Sequence, residues 1–364
     1  MSGNFEQARD FFKQGIAHYE AGRFAQAERD FSASLALVPG RVSTLTNLGA
    51  TRLKLGKFED AADLLQEALA QEPDNVEALG HRAIALAELG EHPAALACAE
   101  RALVLDPALA PIWSLRGNLL NELRRLDEAR ICFEKAISLG ADNELNRYCL
   151  AAAGGRPPPV TAPRFYVESL FDSYADDFEP HLLQVLNYRA PQLLVEPLAR
   201  EGRKFSRALD LGCGTGLCGV LMRPLVAELD GVDLSANMVA RSAARQVYDH
   251  LEQADVVKYL RPDRQRYELV LSADVFIYVG ALEAVFAAVA QAMEIGGVFC
   301  FSVESTSDES DYVLRPSLRY AHSARYIRKL SEQYGFEIQR TSEHPIRDDQ
   351  RSPIAGLFAW LRRR

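Results

Sequence analysis

Small and apolar residues recur through the first 150 or so positions with a fixed spacing. Pro39, Pro73 and Pro107 are each 34 residues apart. The same register holds Gly15, Gly49, Ala83 and Gly117, then Gly22, Gly56 and Gly90 with Arg124 in fourth place. It also holds Ala27, Ala61, Ala95 and Ala129, and Ser34, Ala68, Ala102 and Ala136. Small side chains at fixed places let paired helices approach closely, and each proline stops a second helix before the next unit begins. The pattern predicts four helix–turn–helix units at about 8–41, 42–75, 76–109 and 110–143. A further helix at 144–153 covers the apolar face of the last unit.

The pattern then changes. Gly154-Gly155-Arg156-Pro157-Pro158-Pro159 and the residues up to Pro163 break helical periodicity and read as a semi-stiff linker. Val167, Leu170, Phe171, Tyr174 and Phe178 restore it as one apolar stripe. Core packing is the default for Tyr174 and Phe178. A helix at 181–200 follows, interrupted near Pro191 and Pro197. From 207 onward short apolar runs alternate with amphipathic ones, which implies a parallel sheet covered on both faces. Strands are expected at 207–211, 228–233, 249–254, 267–274 and 297–303, with helices at 217–225, 236–246, 256–261, 281–294 and 323–334. The runs 336–342 and 354–361 form a terminal antiparallel hairpin. The expected architecture is an α-solenoid over 1–153, a Pro/Gly linker over 154–164 and a Rossmann-like α/β unit over 165–364.

A 34-residue period is that of tetratricopeptide repeats, with Trp113 at the expected aromatic position of the fourth unit. Such arrays bind proteins or peptides in a groove built from first helices, so a protein partner is expected there; a stabilising or dimerising role is the alternative. The 364 residues allow two ordinary domains, and no apolar run approaches the ~20 residues of a membrane span. A net charge of −9 disfavours sequence-nonspecific nucleic-acid binding. The polar Met1-Ser2-Gly3-Asn4 start lacks a signal-peptide core, and six scattered cysteines without metal-ligand spacing suit reduced thiols in a cytoplasm. No metal is required by any residue cluster.

The chemistry centres on Asp210-Leu211-Gly212-Cys213-Gly214-Thr215-Gly216, an apolar strand running into an acid and then glycine at alternate positions. Gly214-x-Gly216-x-x-Gly219 also matches the dinucleotide fingerprint. In dinucleotide sites, however, this turn cradles a pyrophosphate, which Asp210 would repel. A carboxylate here suits a cationic ligand such as S-adenosylmethionine. The segment resembles the first motif of class I S-adenosylmethionine-dependent methyltransferases. Gly231-Val232-Asp233-Leu234-Ser235 resembles the second motif of those of the ubiquinone and biotin pathways. The whole order is similar to bacterial methyltransferases carrying N-terminal tetratricopeptide repeats.

The resemblance implies S-adenosylmethionine as cofactor. Gly212, Gly214 and Gly216 would face its methionine end, and Asp210 would accept from its amino group. Asp233, 23 residues on, would hold the ribose hydroxyls, and Asp255 the adenine amino group. Asp274, after the fourth strand, would lie near the reacting methyl; a turn aspartate is an equal reading, and helix capping is one for Asp255. The loop after the fifth strand carries Tyr312, Arg315, Arg319, Tyr320 and His322. Arg315 and Arg319 are candidates to hold an anionic acceptor with Tyr312 and Tyr320, and His322 is the candidate general base. A solvated loop is the competing reading. Ala273-Asp274-Val275-Phe276 replaces the Asn/Asp-Pro-Pro-Tyr/Phe loop of adenine N6 and glutamine methyltransferases, which argues against those acceptors. Three functions remain: a methyltransferase whose repeats recruit a protein, a small-molecule O- or C-methyltransferase using them for assembly, and a non-catalytic cofactor-sensing scaffold.

Overall fold

The computed structural model describes residues 2–174, 186–260, 266–307, 309–349 and 352–364. The chain divides into two compact units, Met1–Arg156 and Pro157–Arg364. The first unit is a run of antiparallel helix pairs: α1 (Ser2–Glu20) with α2 (Phe24–Leu37), α3 (Val42–Lys54) with α4 (Phe58–Gln71), α5 (Val76–Glu88) with α6 (His92–Leu105), and α7 (Ala110–Glu122) with α8 (Leu126–Ser138). The helix α9 (Glu144–Ala152) packs on α8. In the three first helices where the small residue is glycine, it faces the residue sixteen positions on. A Cβ at Gly117 would sit 2.7 Å from Phe133 Cε1, and one at Gly49 2.7 Å from Leu65 Cγ. Where the first partner is Ala83, the second is Ala99, and both are fully buried. Volume is thus traded between the two sides of one contact, as close packing requires.

The second unit is an α/β sandwich. Its elements are α10 (Arg164–Tyr174), α11 (Ala190–Arg200), β1 (Phe205–Leu211), α12 (Leu217–Met222), β2 (Val226–Asp233), α13 (Ala236–Ala244), β3 (His250–Gln253), α14 (Val256–Tyr259), β4 (Tyr267–Ser272), α15 (Glu283–Ala292) and β5 (Met293–Thr306). There follow β6 (Tyr312–Leu314), β7 (Tyr320–Ser323), α16 (Ala324–Gln333), β8 (Phe336–Asp349) and β9 (Ser352–Arg363). The parallel strands lie in the order β3-β2-β1-β4-β5, and β9 runs antiparallel beside β5 with β8 outside it. Successive strand residues feed opposite faces. Leu209, Val270, Phe299 and Phe301 enter one core, and Ala208, Leu269, Leu271 and Cys300 the other. Both faces being covered explains why these strands read as continuous apolar runs.

Three sequence expectations are corrected. The hairpin is longer than expected, because β8 and β9 pair almost to their connecting turn. The segment read as a loop after β5 contains the short β6–β7 hairpin, with β7 parallel to the end of β5. The linker is not free along its length: Val160 O accepts from Gly280 N and Ala281 N, Thr161 Oγ1 and Ala162 N donate to Tyr278 O, and Tyr320 Oη donates to Pro159 O. Residues 159–162 are therefore part of the second unit, as a strap on the segment after β4. Phe178 and the first part of the helix expected at 181–200 lie outside the described residues.

Candidate functional site

The carboxyl ends of β1, β2, β3 and β4 converge where open parallel sheets place ligands. β1 delivers Asp210, which is 1% exposed. Its Oδ2 accepts from Tyr248 Oη at 2.7 Å and the backbone of Gly219, in the first turn of α12, also donates toward the carboxylate, while Oδ1 is buried with no well-aligned donor among the described residues. Burial, with the charge of Asp233 adding to it, pushes the Asp210 carboxyl up to about 7 against the hydrogen bonds from Tyr248 and the Gly219 backbone. A buried carboxylate with one orphan oxygen is costly unless something supplies a donor.

The glycine loop follows directly. Gly212 has φ +81°, and a Cβ there would lie 2.3 Å from Val275 Cγ2, so only glycine fits between this turn and the segment after β4. The loop is braced from outside: Gly212 N and Cys213 N donate to Val232 O, and Ser242 Oγ donates to Gly214 O. Asp233, at the end of β2, accepts from Gly214 N through Oδ2 and from Ser235 N through Oδ1, each at 2.9 Å. Burial raises its carboxyl above the ordinary range. Asp255 follows β3, placed beside Asp233 by the Ala254 N to Asp233 O bond. Its Oδ1 caps α14 by accepting from Val257 N and Lys258 N, so the capping role weighed for it is present.

The helix α10 reaches the same rim. Ser235 Oγ donates to Asp172 Oδ1 and Asn237 Nδ2 to Asp172 O, while the Phe171 ring meets Tyr278 edge-on at 5.5 Å. One helix thus touches both the β2 end and the segment after β4.

Asp274, after β4, belongs to a buried charge chain. Its Oδ2 accepts from Arg347 Nη1, Arg347 Nη2 donates to Glu304 Oε1, and Arg315 Nη1 donates to Glu304 Oε2 at 2.8 Å. Arg347 and Glu304 are almost wholly buried. Burial raises the Glu304 carboxyl, and Arg347 opposes that shift.

The five residues expected to hold and activate an acceptor serve other contacts. Arg315 is committed to Glu304 and to Ser305 O. Arg319 hydrogen-bonds Tyr278. Tyr320 is fully buried and fixes the strap through Pro159 O. Tyr312 packs between Tyr320, His322 and Tyr326. His322 is fully buried on β7, its Nε2 donating to the carbonyls of Val279 and Gly280 and its ring stacked on Tyr326. Burial lowers its pKa to about 4. The ring is thus a staple between β7 and the segment after β4, and its Nδ1 is buried without a partner among the described residues. Sequence reasoning missed Tyr248 and Arg347. A β-bulge between Pro345 and Asp348 turns Ile346 and Arg347 both inward, which defeats strand alternation as a guide.

Residues 184–341 match a family model described as a methyltransferase domain, and residues 46–110 and 110–143 match tetratricopeptide repeat models. The chain joins tetratricopeptide repeats to a methyltransferase domain. Among curated proteins it is 30% identical over 145 residues to malonyl-(acyl-carrier protein) O-methyltransferase of Enterobacter lignolyticus (strain SCF1), a match over 40% of this chain and 55% of that protein. The chain thus spans about half the length of the curated relative it matches. Among solved structures, magnesium protoporphyrin IX methyltransferase from Synechocystis PCC 6803 with bound SAH shares 18% identity over 55% of this chain and 99% of that one, TM-score 0.43. MamA from Desulfovibrio magneticus RS-1 shares 18% identity over 41% of this chain and 84% of that one, TM-score 0.39. Among the described residues, no helix is long and apolar enough to cross a membrane.

Proposed function

We propose that the second unit transfers a methyl group from S-adenosylmethionine to an acceptor that the repeat unit selects or positions through a bound protein. The observation that carries this reading is the buried, unpartnered Oδ1 of Asp210 beside a glycine loop. That oxygen suits a cationic amino group and opposes a pyrophosphate. Asp210 would hold the amino group, the backbone around Gly212, Gly214 and Gly216 would border the methionine end, Asp233 would accept from the ribose hydroxyls, and Asp255 would border the adenine. When bound, S-adenosylmethionine supplies an electrophilic methyl on a sulfonium. The protein's own task is then to align a nucleophile and receive its proton.

The repeats support a protein-borne or protein-delivered acceptor, since an array of this kind offers a long groove rather than a small-molecule pocket. Incubating the full chain with methyl-labelled S-adenosylmethionine and a cell lysate is expected to label a protein fraction. Deleting residues 1–153 is expected to lower that labelling by about tenfold or more, through loss of effective concentration. Equal labelling by the shortened chain would contradict delivery by the repeats. Label confined to small metabolites would contradict a protein acceptor.

A further inference from the structure

Asp274 stands at the carboxyl end of β4 with φ +59°, a left-handed conformation that non-glycine residues adopt at a cost. Two hydrogen bonds hold it there: its N–H donates to Ser302 Oγ at 2.9 Å, and its Oδ2 accepts from Arg347. Its Oδ1 is buried and has no partner among the described residues. The neighbouring Val275 is the side chain that fills the space under Gly212, so Asp274 is one residue from the wall of the glycine loop. The residue is therefore aimed by a brace, and the brace uses only one of its two oxygens.

The charges around it restrict what can approach. Arg347 is divided between Asp274 and Glu304, Arg315 between Glu304 and Ser305 O, and Arg319 is engaged with Tyr278. Each of these guanidinium groups already has an acceptor, while a carboxylate oxygen lacks a donor. An anionic acceptor would meet that oxygen and gain no unengaged cation from this group. A ligand bearing N–H or O–H would satisfy it.

We propose that Asp274, positioned by Arg347, receives the N–H or O–H of the methyl acceptor, so that the acceptor is a nitrogen or oxygen nucleophile carrying a proton and not a carboxylate. This rests on the methyltransferase reading above. In the transfer, the nucleophile's lone pair forms the bond to the methyl carbon as the carbon–sulfur bond breaks and its electron pair stays on sulfur. The nucleophile's proton leaves to Asp274 Oδ1. The curated relative's name makes its acceptor a malonyl group, and the free oxygen of Asp274 argues against the same acceptor in this chain.

The test is a pair of calorimetric titrations on the full chain, with S-adenosylhomocysteine and with sinefungin. Sinefungin carries an amine-bearing carbon where S-adenosylmethionine has its methyl-bearing sulfur, and so presents N–H donors at the transfer position. Sinefungin is expected to bind about tenfold or more tightly than S-adenosylhomocysteine, as a charge-assisted bond to Asp274 would give. Asp274→Asn should reduce that preference to within about threefold while leaving S-adenosylhomocysteine affinity nearly unchanged. Arg347→Lys, which keeps the charge but loses the two-pronged hold, should also reduce it. The S-adenosylhomocysteine titration shows in each variant that the site is folded. Equal affinities in the unaltered protein, or a preference that survives Asp274→Asn, would overturn the assignment of Asp274 alone. Absence of S-adenosylhomocysteine binding would overturn the cofactor reading as well.

Discussion

Replacing Asp210 with asparagine is expected to weaken S-adenosylhomocysteine binding about 100-fold, or roughly 2.7 kcal/mol. In the proposed reading Oδ1 accepts from the ligand's amino group, and an amide puts a neutral group, or a donor, in its place. The substitution keeps an oxygen for Tyr248 Oη, so the fold should persist. Affinity should also depend on pH. The carboxyl of the ligand-free protein is pushed up to about 7, so a proton must leave before a cationic amino group can bind. Below that value affinity should fall by up to about tenfold per pH unit. Stability has the opposite sign. The folded-state value lies above the ordinary 3.8, so the native state binds more protons between them. The ligand-free protein should lose stability as pH rises from about 4 to about 7. Calorimetry across pH checks both parts; unchanged affinity in Asp210→Asn would remove Asp210 from the site.

The second large effect is on stability. Arg347→Met should destabilise the second unit by about 3–5 kcal/mol, because it leaves Asp274 and Glu304 buried without their shared cation. Adding Glu304→Gln and Asp274→Asn to the same chain should recover much of the loss, since the penalty comes from unpaired charge. Trp360 is buried, donates to Leu194 O and reports on this unit; a Trp113→Phe background removes the other tryptophan. Urea unfolding followed by Trp360 fluorescence gives the change. A shift below about 0.5 kcal/mol would show that the chain of charges is dispensable.

The parts of the molecule legible in the sequence are those whose contacts repeat or stay local. The 34-residue spacing is readable because every repeat buries the same pair of helix faces, down to Gly117 against Phe133. Asp210, the glycine loop and Asp233 are readable because the ends of adjacent parallel strands bring them together in a fixed order. What escaped depends on distant chain. Tyr248 reaches Asp210 from 38 residues away, and Arg347 reaches Asp274 from 73. Neither stands in a motif. Tyr320 and His322 read as loop residues in sequence because polar and aromatic residues in a short, fully buried strand resemble a loop. Burial of His322 on the carbonyls of Val279 and Gly280 becomes visible only once β7 is seen beside the end of β5.

The central claim is that Asp210 and the glycine loop hold a cationic nucleoside ligand and not a dinucleotide. Titrating the full chain calorimetrically with S-adenosylmethionine, S-adenosylhomocysteine and NAD tests it most directly. Saturable one-to-one binding of the first two, with no heat from NAD, is the predicted result; binding of NAD with no response to either of the others would contradict it.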